Sequence, residues 1–501
     1  MTGLLSLVLW LPLAGAVTLL AIPQDRHATL RIVTLVVALL DLAAALCAGA
    51  AMDLTHTGTL QLVERASWIP SIGVSYHLGT DGLSLSLVVL TALLLVLCVV
   101  YSWRIETRVK EYMILLLLLE TGLVGVFVAL DLFLFYVFWE VSLVPMYLLI
   151  GIWGGPRRGY AAIKFFIYTV AGSLAMLLAI LLVYVHSNPR TFDLVDLIGR
   201  RPLAQSLPLA VLAFWGFFLG FGVKVPLFPF HTWLPDAYAE APTAGSVLLA
   251  GVMSKLGAYG FIRIVLPLLP DAFRQMASLV AVLAVIGAVY SALVALAQTD
   301  FKRMIAYSSV GHLGYVMLGV AAAAAGAGGA LADATAKALT GATLQMLAHG
   351  IITGALFVLA GVLADGEART RDLSEFGGLW ARVPVFSGIA VLAILASLGL
   401  PGLMGFVAEF LIFLGAYQIY PAMTVLALVG VVLTVVYFLW AVYRLFFGPL
   451  NMRWAALPDL DRREQWVLAP LCALMVLFGT YPGPLVAMIN LATANILSLA
   501  R

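Results

Sequence analysis

Charged residues are scarce in this sequence: Asp, Glu, Lys and Arg make up 10% of its 501 residues, whereas hydrophobic residues make up 63%. Soluble domains carry about 25% charged residues, so this composition excludes a large soluble core. The formal net charge of +2 predicts no surface for a polyanion, which argues against a nucleic-acid-binding protein. A chain of this composition is suited to a lipid environment.

Cysteines are also few, and their positions predict no cofactor. Cys47, Cys98 and Cys472 stand singly within apolar runs, without the spacing of a zinc site or an iron–sulfur cluster. No glycine-rich dinucleotide motif follows a predicted strand. We therefore predict no metal site and no cofactor bound by this chain. The N-terminal apolar stretch lacks a basic region before it, which favours a retained helix over a cleaved signal peptide.

Apolar stretches of about 20 residues, the length of a membrane-spanning helix, recur along the whole chain. Breaks at polar or turn-rich segments divide the chain into about fourteen spans, which predicts an all-α polytopic membrane protein. The polar segment 51–80 is the longest excursion near the start and is compatible with a short hairpin. The excess of Lys and Arg in alternate loops predicts that both termini lie on the non-cytoplasmic side.

Several ionisable residues fall within these apolar spans, where each is costly unless it has a partner or water. Taken singly, a glutamate could neutralise a neighbouring lysine, a buried histidine could be a hydrogen-bonded packing residue, and Asp41 is ambiguous. Metal binding is the weaker alternative, because no two of them have the i, i+3 or i+4 spacing of paired ligands. Together they are typical of a proton path through a pump. The candidate proton-translocation residues are Glu120, Glu140, Lys224, Lys255, Glu409, His231, His312 and His349.

Two spans are interrupted beside an ionisable residue. In FGVKVPLFPFHTWLPDA (221–237), Pro226 and Pro229 follow Lys224. Neither proline can donate to a helical carbonyl, so the carbonyls of Gly222 and Val225 should be freed near the lysine. In SLGLPGLMGFVAEF (397–410), Pro401 precedes Glu409. Backbone breaks at membrane depth are tolerated where they line a wet cavity. A pair of them in the two halves of one chain predicts two inverted repeats of five helices, each with a broken helix.

Three stretches of this sequence are similar to a known family. FYVFWEVSLVPMYLLIGIWGG, VKVPLFPFHTWLPDAYAEAPTAGSVLLAGVMSKLGAYG and YSSVGHLGYVMLG resemble the antiporter-like, proton-translocating subunits of respiratory complex I, the NADH:quinone oxidoreductase (NDH-1). The resemblance covers residues 110 to 450. L- and N-type members and the multisubunit cation/proton antiporters usually carry a lysine in the late broken helix. Glu409 in that helix resembles the M-type members, called chain 4 in the mitochondrial naming.

The resemblance implies a role for each charged position. The glutamate matching Glu140 pairs with the broken-helix lysine matching Lys224. The lysine matching Lys255 connects two half-channels, and the glutamate matching Glu409 ends the path. The histidines implied along or beside this path are His231, His312 and His349.

The resemblance also implies a setting for the chain. It would be a translocase subunit without a redox site in a bacterial cytoplasmic (inner) membrane, between an L-type and an N-type neighbour. NADH, FMN, the iron–sulfur clusters and the quinone would be bound by other subunits. The implied organisation is a single transmembrane domain, 1–501, with N-terminal helices 1–3 in 1–109, repeats in 110–265 and 270–450, and a C-terminal helix in 451–501.

Three alternatives stay open from the sequence. The chain could belong to a multisubunit cation/proton antiporter without redox input, although Glu409 in place of a lysine counts against that. It could serve a related proton pump linked to a hydrogenase, a formate hydrogenlyase or a ferredoxin-dependent complex. The buried charges could instead only hold subunits together, in which case removing them would have little effect on transport.

Overall fold

The computed structural model describes residues 3–501 as a helical protein with one β-hairpin. The first half of the chain contains α1 (Leu4–Leu20), α2 (His27–Ala51), α3 (Gly82–Tyr101), α4 (Val109–Val128), α5 (Leu132–Trp153), α6 (Arg158–His186), α7 (Leu194–Arg200), α8 (Leu207–Lys224) and α9 (Trp233–Glu240). The hairpin pairs β1 (Gln61–Ile69) with β2 (Val74–Thr80) in antiparallel register. It lies in the segment 51–80, as the sequence suggested.

The remaining helices follow a long central span. They are α10 (Thr243–Leu248), α11 (Lys255–Gly260), α12 (Leu266–Leu268), α13 (Pro270–Leu296), α14 (Phe301–Gly326), α15 (Ala332–Asp365), α16 (Pro384–Ser397), α17 (Met404–Ile419), α18 (Pro421–Phe446), α19 (Arg462–Thr480) and α20 (Gly483–Leu499). Helices α10, α11 and α12 are joined by π turns at Leu249–Met253 and Phe261–Val265 into one span, Thr243–Leu268.

The polytopic helical fold predicted from the sequence is confirmed. Within the described residues, 11 helices are long and apolar enough to cross a membrane, or up to 12 if the bent pair α19–α20 counts as one span. The predicted count of about fourteen stays a prediction. It would require that α1 and the interrupted pair α16–α17, which are shorter apolar helices, also cross.

The C-terminal region differs from its prediction. Residues 451–501 form two helices, α19 and α20, bent by 79° at a break of a few residues, instead of a single helix. The sequence at the break, Tyr481-Pro482-Gly483-Pro484, explains the bend. Each proline removes a backbone donor and crowds the preceding turn, so a continuous helix is excluded there, whereas a new helix can begin at once.

Acidic side chains fix the start of several helices. Asp131 at the N-terminus of α5 accepts hydrogen bonds from the backbone N–H groups of Phe133 and Leu134. Asp81 and Ser84 form a reciprocal capping box at the start of α3. Such caps satisfy N–H groups that the first helical turn leaves free, which is especially valuable near a bilayer. The other capping aspartates are Asp193, Asp300 and Asp461.

The centre of the protein is formed by the α10–α12 span, α14 and α15. All of the most apolar window of the α10–α12 span and 94% of that of α15 are buried, against 33% for α2 and 39% for α18. The central helices cross closely at glycines: a Cβ on Gly350 of α15 would lie 2.7 Å from the carbonyl oxygen of Gly251. This close approach brings α15 against the π turn beside Lys255. Polar residues on these central helices are thereby enclosed by protein rather than lipid.

Candidate functional site

The first break separates α8, which ends at Lys224, from α9, which begins at Trp233. The sequence predicted that the carbonyl of Gly222 would be free, and this is wrong, because the Leu227 N–H donates to it at 2.8 Å. The indole N–H of Trp233 donates to the carbonyl of Val223 at 2.9 Å. The chain therefore replaces the interrupted helical bonds with local ones, and the break is a defined loop.

Lys224 is buried without a hydrogen-bond partner. Its side chain belongs to a residue that is 1% exposed, and no group of the described residues accepts a hydrogen bond from its Nζ. The nearest stabilising groups are aromatic: Nζ lies 5.2 Å from the ring centroid of Trp139 and 5.8 Å from that of Phe165. A cation over a desolvated ring gains about 2 kcal/mol. That gain is smaller than the cost of burying an unpaired charge.

Glu140, the expected partner of Lys224, follows Trp139 on α5. It is half-buried, and its Oε1 has no hydrogen-bond partner. Glu140 is the charged group that acts electrostatically on Lys224, yet the two do not form an ion pair within 4.0 Å, since no such contact exists among the salt bridges of the described residues. The Glu140 carboxyl group and the Lys224 amine are therefore neighbours without direct contact. A water molecule or a small side-chain movement would join them.

Lys255, in contrast, has close polar contacts. Its Nζ donates to the carbonyl of Ala250, lies 3.3 Å from Ser254 Oγ, and lies 2.6 Å from His349 Nδ1. Ala250 belongs to the π turn that directly precedes Lys255. A π turn widens the helix by one residue and redirects its carbonyls, which is why such turns are common at functional sites. The lysine on the central span is thus bonded directly to a histidine on α15.

A second polar cluster links α14, α15 and α17. His312 Nδ1 lies 2.8 Å from Glu409 Oε1, and His312 Nε2 lies 3.2 Å from Ser397 Oγ. Gln345 Nε2 donates to Glu409 Oε1 at 3.0 Å. The rings of His312 and His349 are 5.7 Å apart, centroid to centroid. Side chains from the middle of the molecule therefore form a nearly continuous series in the order Lys255, His349, His312 and Glu409.

A small cavity lies beside His349 and His312, the two members of this series that are not hydrogen-bonded to each other. It is lined by polar and apolar side chains and has a volume of about 10 Å³, which is space for about one water molecule. His349 Nε2 is buried without a partner, and the hydroxyl of Thr353 donates to the His349 carbonyl. A water here would have imidazole, amide and carboxylate groups as partners, which meets the usual requirement for a buried water. The cavity is lined by His312, Gln345, His349, Ile352, Thr353, Ala396, Ser397, Gly405 and Glu409.

The second break lies beside this cavity. Helix α16 ends at Ser397 and α17 begins at Met404. Gly399 and Gly402 have φ angles of +71° and +92°, which are readily adopted by glycine and strained for other residues. A Cβ on Gly399 would also lie 3.3 Å from Glu409 Oε2. The glycines flanking Pro401 therefore let the chain turn tightly against the carboxyl group of Glu409.

Two predicted residues lie apart from this series. His231 is in the loop of the first break, where its ring packs against Phe228 and Tyr290 at centroid distances of 5.6 Å and 5.4 Å, and its Nδ1 has no partner. Glu120 on α4 faces Asp41 of α2. The structure therefore unites four of the eight candidates directly, keeps Glu140 and Lys224 as a separated pair, and places His231 and Glu120 elsewhere.

Sequence reasoning missed two polar side chains of the second cluster. Gln345 donates to Glu409, and Ser397 contacts His312. Gln345 stands four residues before His349 on α15, and residues at this spacing share a helix face. That periodicity could have pointed to Gln345. No local signal distinguishes Ser397 from other serines at helix ends.

Ion pairs secure the loop of the first break at one edge of the bundle. Asp236 on α9 accepts from Lys164 of α6 and from Arg303 of α14, both at 2.8 Å. Asp300 at the start of α14 pairs with Arg371 at 2.6 Å. Burial raises the pKa of the Asp300 carboxyl to about 6, although the charge of Arg371 acts in the opposite direction. The first broken segment is therefore tied to helices from both halves of the chain.

Comparisons with known proteins agree on one family. The family described as NADH:quinone oxidoreductase/Mrp antiporter, TM matches residues 129–434. The chain is 42% identical to NADH-quinone oxidoreductase subunit M of Rhodobacter capsulatus over 99% of this chain and 96% of the relative. It superposes on a chain of respiratory complex I from Thermus thermophilus with a TM-score of 0.88 and 33% identity, covering 99% and 100% of the two chains.

A more distant structure shares the fold. A chain of the Mrp complex from Dietzia sp. DQ12-45-1b gives a TM-score of 0.84 at 24% identity, over 98% of this chain and 52% of that chain. The same helical fold is therefore present in a chain of respiratory complex I and in a chain of an Mrp complex.

Proposed function

Because the chain belongs to the NADH:quinone oxidoreductase/Mrp antiporter family, we propose that it is the proton-translocating M-type membrane subunit of an NADH:quinone oxidoreductase. As a translocase subunit it couples quinone reduction, performed elsewhere in the complex, to proton movement. NADH, FMN, the iron–sulfur clusters and the quinone are bound by other subunits. The observation that carries the proposal is the buried series of Lys255, His349, His312 and Glu409, which crosses from the centre of the bundle to the second break.

Each residue of the series has a defined part. Lys255 is bonded to His349, so a proton can pass between the ammonium and the imidazole without a water between them. A water molecule in the cavity that His349 and His312 line would carry the proton from one imidazole to the other. His312 then delivers the proton to the Glu409 carboxylate at 2.8 Å. Hydrogen-bonded chains of this kind carry protons through pumps at bilayer depth.

The pair of Glu140 and Lys224 supplies the switch. When they approach, the carboxylate stabilises the ammonium, and when they separate, desolvation favours the neutral amine. A change in their spacing therefore alters the proton affinity at the entrance of the series. The aromatic contacts of Lys224 with Trp139 and Phe165 hold the separated state.

The proposal extends to the surroundings of the chain. The subunit lies in a bacterial cytoplasmic (inner) membrane, with both termini on the non-cytoplasmic side, since this orientation puts the larger number of Lys and Arg in the cytoplasm. Its neighbours in the membrane arm are an L-type and an N-type subunit. Residues 110–265 and 270–450 form the two repeats, each of which contains one break.

The experiment that tests the proposal is the Glu140→Gln variant in the assembled complex. We expect NADH-driven proton pumping to fall by about tenfold or more, as for the loss of an acid–base group, while the complex assembles normally. Glu111→Gln, which alters a partly exposed carboxylate in the first turn of the neighbouring helix α4, is the matched control. Normal pumping by an assembled Glu140→Gln complex would contradict the proposed switch.

The alternative function is that of a cation/proton antiporter subunit. The fold of the Mrp complex favours it, whereas Glu409 counts against it because relatives of that type usually carry a lysine there. Vesicles that contain the complex distinguish the two. Proton movement driven by a sodium gradient without NADH would support the antiporter, and movement that requires NADH and quinone would support the pump.

A further inference from the structure

Two carboxyl groups face each other in the N-terminal helices, away from the series described above. Asp41 of α2 and Glu120 of α4 are 0% and 1% exposed, and their side chains face each other where α2 packs on α4. No N–H or O–H group of the described residues donates to any of their carboxyl oxygens. Each carboxyl group therefore lacks a hydrogen-bond donor among the described residues.

Within residues 3–501, no basic side chain forms an ion pair or a hydrogen bond with either carboxyl group. The charged group that acts on each carboxyl is the other one. Two adjacent carboxylates in a low-dielectric interior repel each other, and neither can be solvated. A single proton removes the repulsion and provides the missing O–H donor, so that one carboxylic acid bonds to one carboxylate. This arrangement is known from paired carboxyl groups that share a proton.

The pair lies close in depth to Glu140. Gly122 of α4 packs directly against the backbone of Ser142 in α5, and α4 and α5 run in opposite directions through the short link between them. Residue 120 is therefore level with about residue 144, and Glu140 lies only about 6 Å away from that level along the helix axis, at 1.5 Å per residue. The pair is thus at the depth of the first acid in the proposed switch.

We propose that Asp41 and Glu120 form a one-proton binding site that is loaded and emptied during turnover. The ligand is a single proton, shared between a carboxyl oxygen of Asp41 and one of Glu120. Its release leaves two adjacent carboxylates, so it must coincide with the approach of a positive charge or of water. The inference has two parts: the pair binds one proton, and this proton is taken up and released during turnover. Only the second part rests on the proposed proton-pumping function.

Infrared spectroscopy of the purified complex tests the first part. The wild-type complex should show the C=O stretching band of one more protonated carboxyl group than the Asp41→Asn/Glu120→Gln double variant, and the difference spectrum of the two isolates this band. It should persist in Glu140→Gln, which separates this site from the proposed switch, and in the control Glu111→Gln at a partly exposed carboxylate. A double variant with an unchanged spectrum overturns the site, and disappearance of the band on addition of sodium ions identifies a cation site instead.

Proton pumping tests the second part. The double variant can replace the shared proton with an amide–amide hydrogen bond, so a purely structural role predicts a normal number of protons pumped per NADH. We expect that number to fall, with Asp41→Asn and Glu120→Gln each causing the loss of the double variant because the two residues act as one unit. A normal ratio in the assembled double variant overturns the role in turnover. If Glu140→Gln pumps normally while the infrared band is present, the proposed function fails and the proton site stands.

Discussion

The two broken helices of this protein hold opposite charges in opposite ways. The Nζ of Lys224 at the first break lies over the rings of Trp139 and Phe165 and has no hydrogen-bond partner among the described residues. Glu409 at the second break is a carboxyl group that accepts from Gln345 and contacts His312. A buried charged group that lacks a partner is held at a cost, whereas one with several partners is held by them.

This difference separates the parts that the two breaks can play. A costly, unpartnered group changes its proton affinity strongly when a partner approaches, so Lys224 is suited to be switched by Glu140. A group held by two partners keeps its position, so Glu409 is suited to receive a proton from His312. The comparison therefore predicts that a change of partner occurs at Lys224 and that Glu409 stays in place.

The largest effect is expected at the first break. Lys224→Met removes the charge but keeps the length of the side chain, and we expect pumping to fall by about tenfold or more. Because an unsatisfied buried polar group costs about 1–3 kcal/mol, the variant should also stabilise the broken segment. Hydrogen exchange of residues 221–237 in the purified complex should slow.

Lys337→Met is the matched control for this substitution. Lys337 lies on α15 and is paired with an exposed aspartate, so its loss should change neither pumping nor exchange. Faster exchange at residues 221–237 in Lys224→Met would contradict the view that the unpartnered ammonium destabilises the break.

The second break should respond in the reverse sense. Glu409→Ala leaves His312 and Gln345 without an acceptor, so we expect a local loss of about 1–3 kcal/mol and faster exchange of residues 397–410, together with a loss of pumping. Glu409→Gln retains one acceptor oxygen and should keep the local stability while still losing the proton terminus. Equal stability of the alanine and glutamine variants would show that the hydrogen bonds of Glu409 are not what holds this break.

The smallest effect is expected at His231. Its ring packs between Phe228 and Tyr290 and has an unpartnered Nδ1. His231→Phe preserves this aromatic packing, so pumping should remain within about twofold of the wild-type rate, well below the change for loss of an acid–base group. A loss as large as that of Lys224→Met would return His231 to the proton path and make the first break more than a two-residue switch.

Some elements could be predicted because their signals are local. The ionisable residues stand out against apolar runs, and prolines next to Lys224 and Glu409 mark the breaks. The polar segment 51–80 between two long apolar stretches is compatible with the hairpin that the structure shows there. The prediction of a single C-terminal helix is wrong because Pro482 and Pro484 interrupt an apolar run of spanning length.

Other features had no local signal. Helix geometry alone predicted a free carbonyl at Gly222. In the loop of the first break, the N–H of Leu227 donates a hydrogen bond to this carbonyl. The contact between Asp41 and Glu120 joins positions on different helices, and only the packing of α2 on α4 reveals it. Ser397 acquires its contact with His312 in the same way.

The sequence by itself determined that this chain is a polytopic helical membrane protein, which residues at membrane depth are ionisable, and where two of its spans are interrupted, because hydropathy, charge and proline act over a few neighbouring residues. Only the tertiary structure decided which of those residues meet. Lys255 touches His349, and His312 touches Glu409, because glycines let the helices approach closely, while Lys224 stays apart from Glu140. Side-chain pairing across helices depends on packing distances, which no single segment encodes.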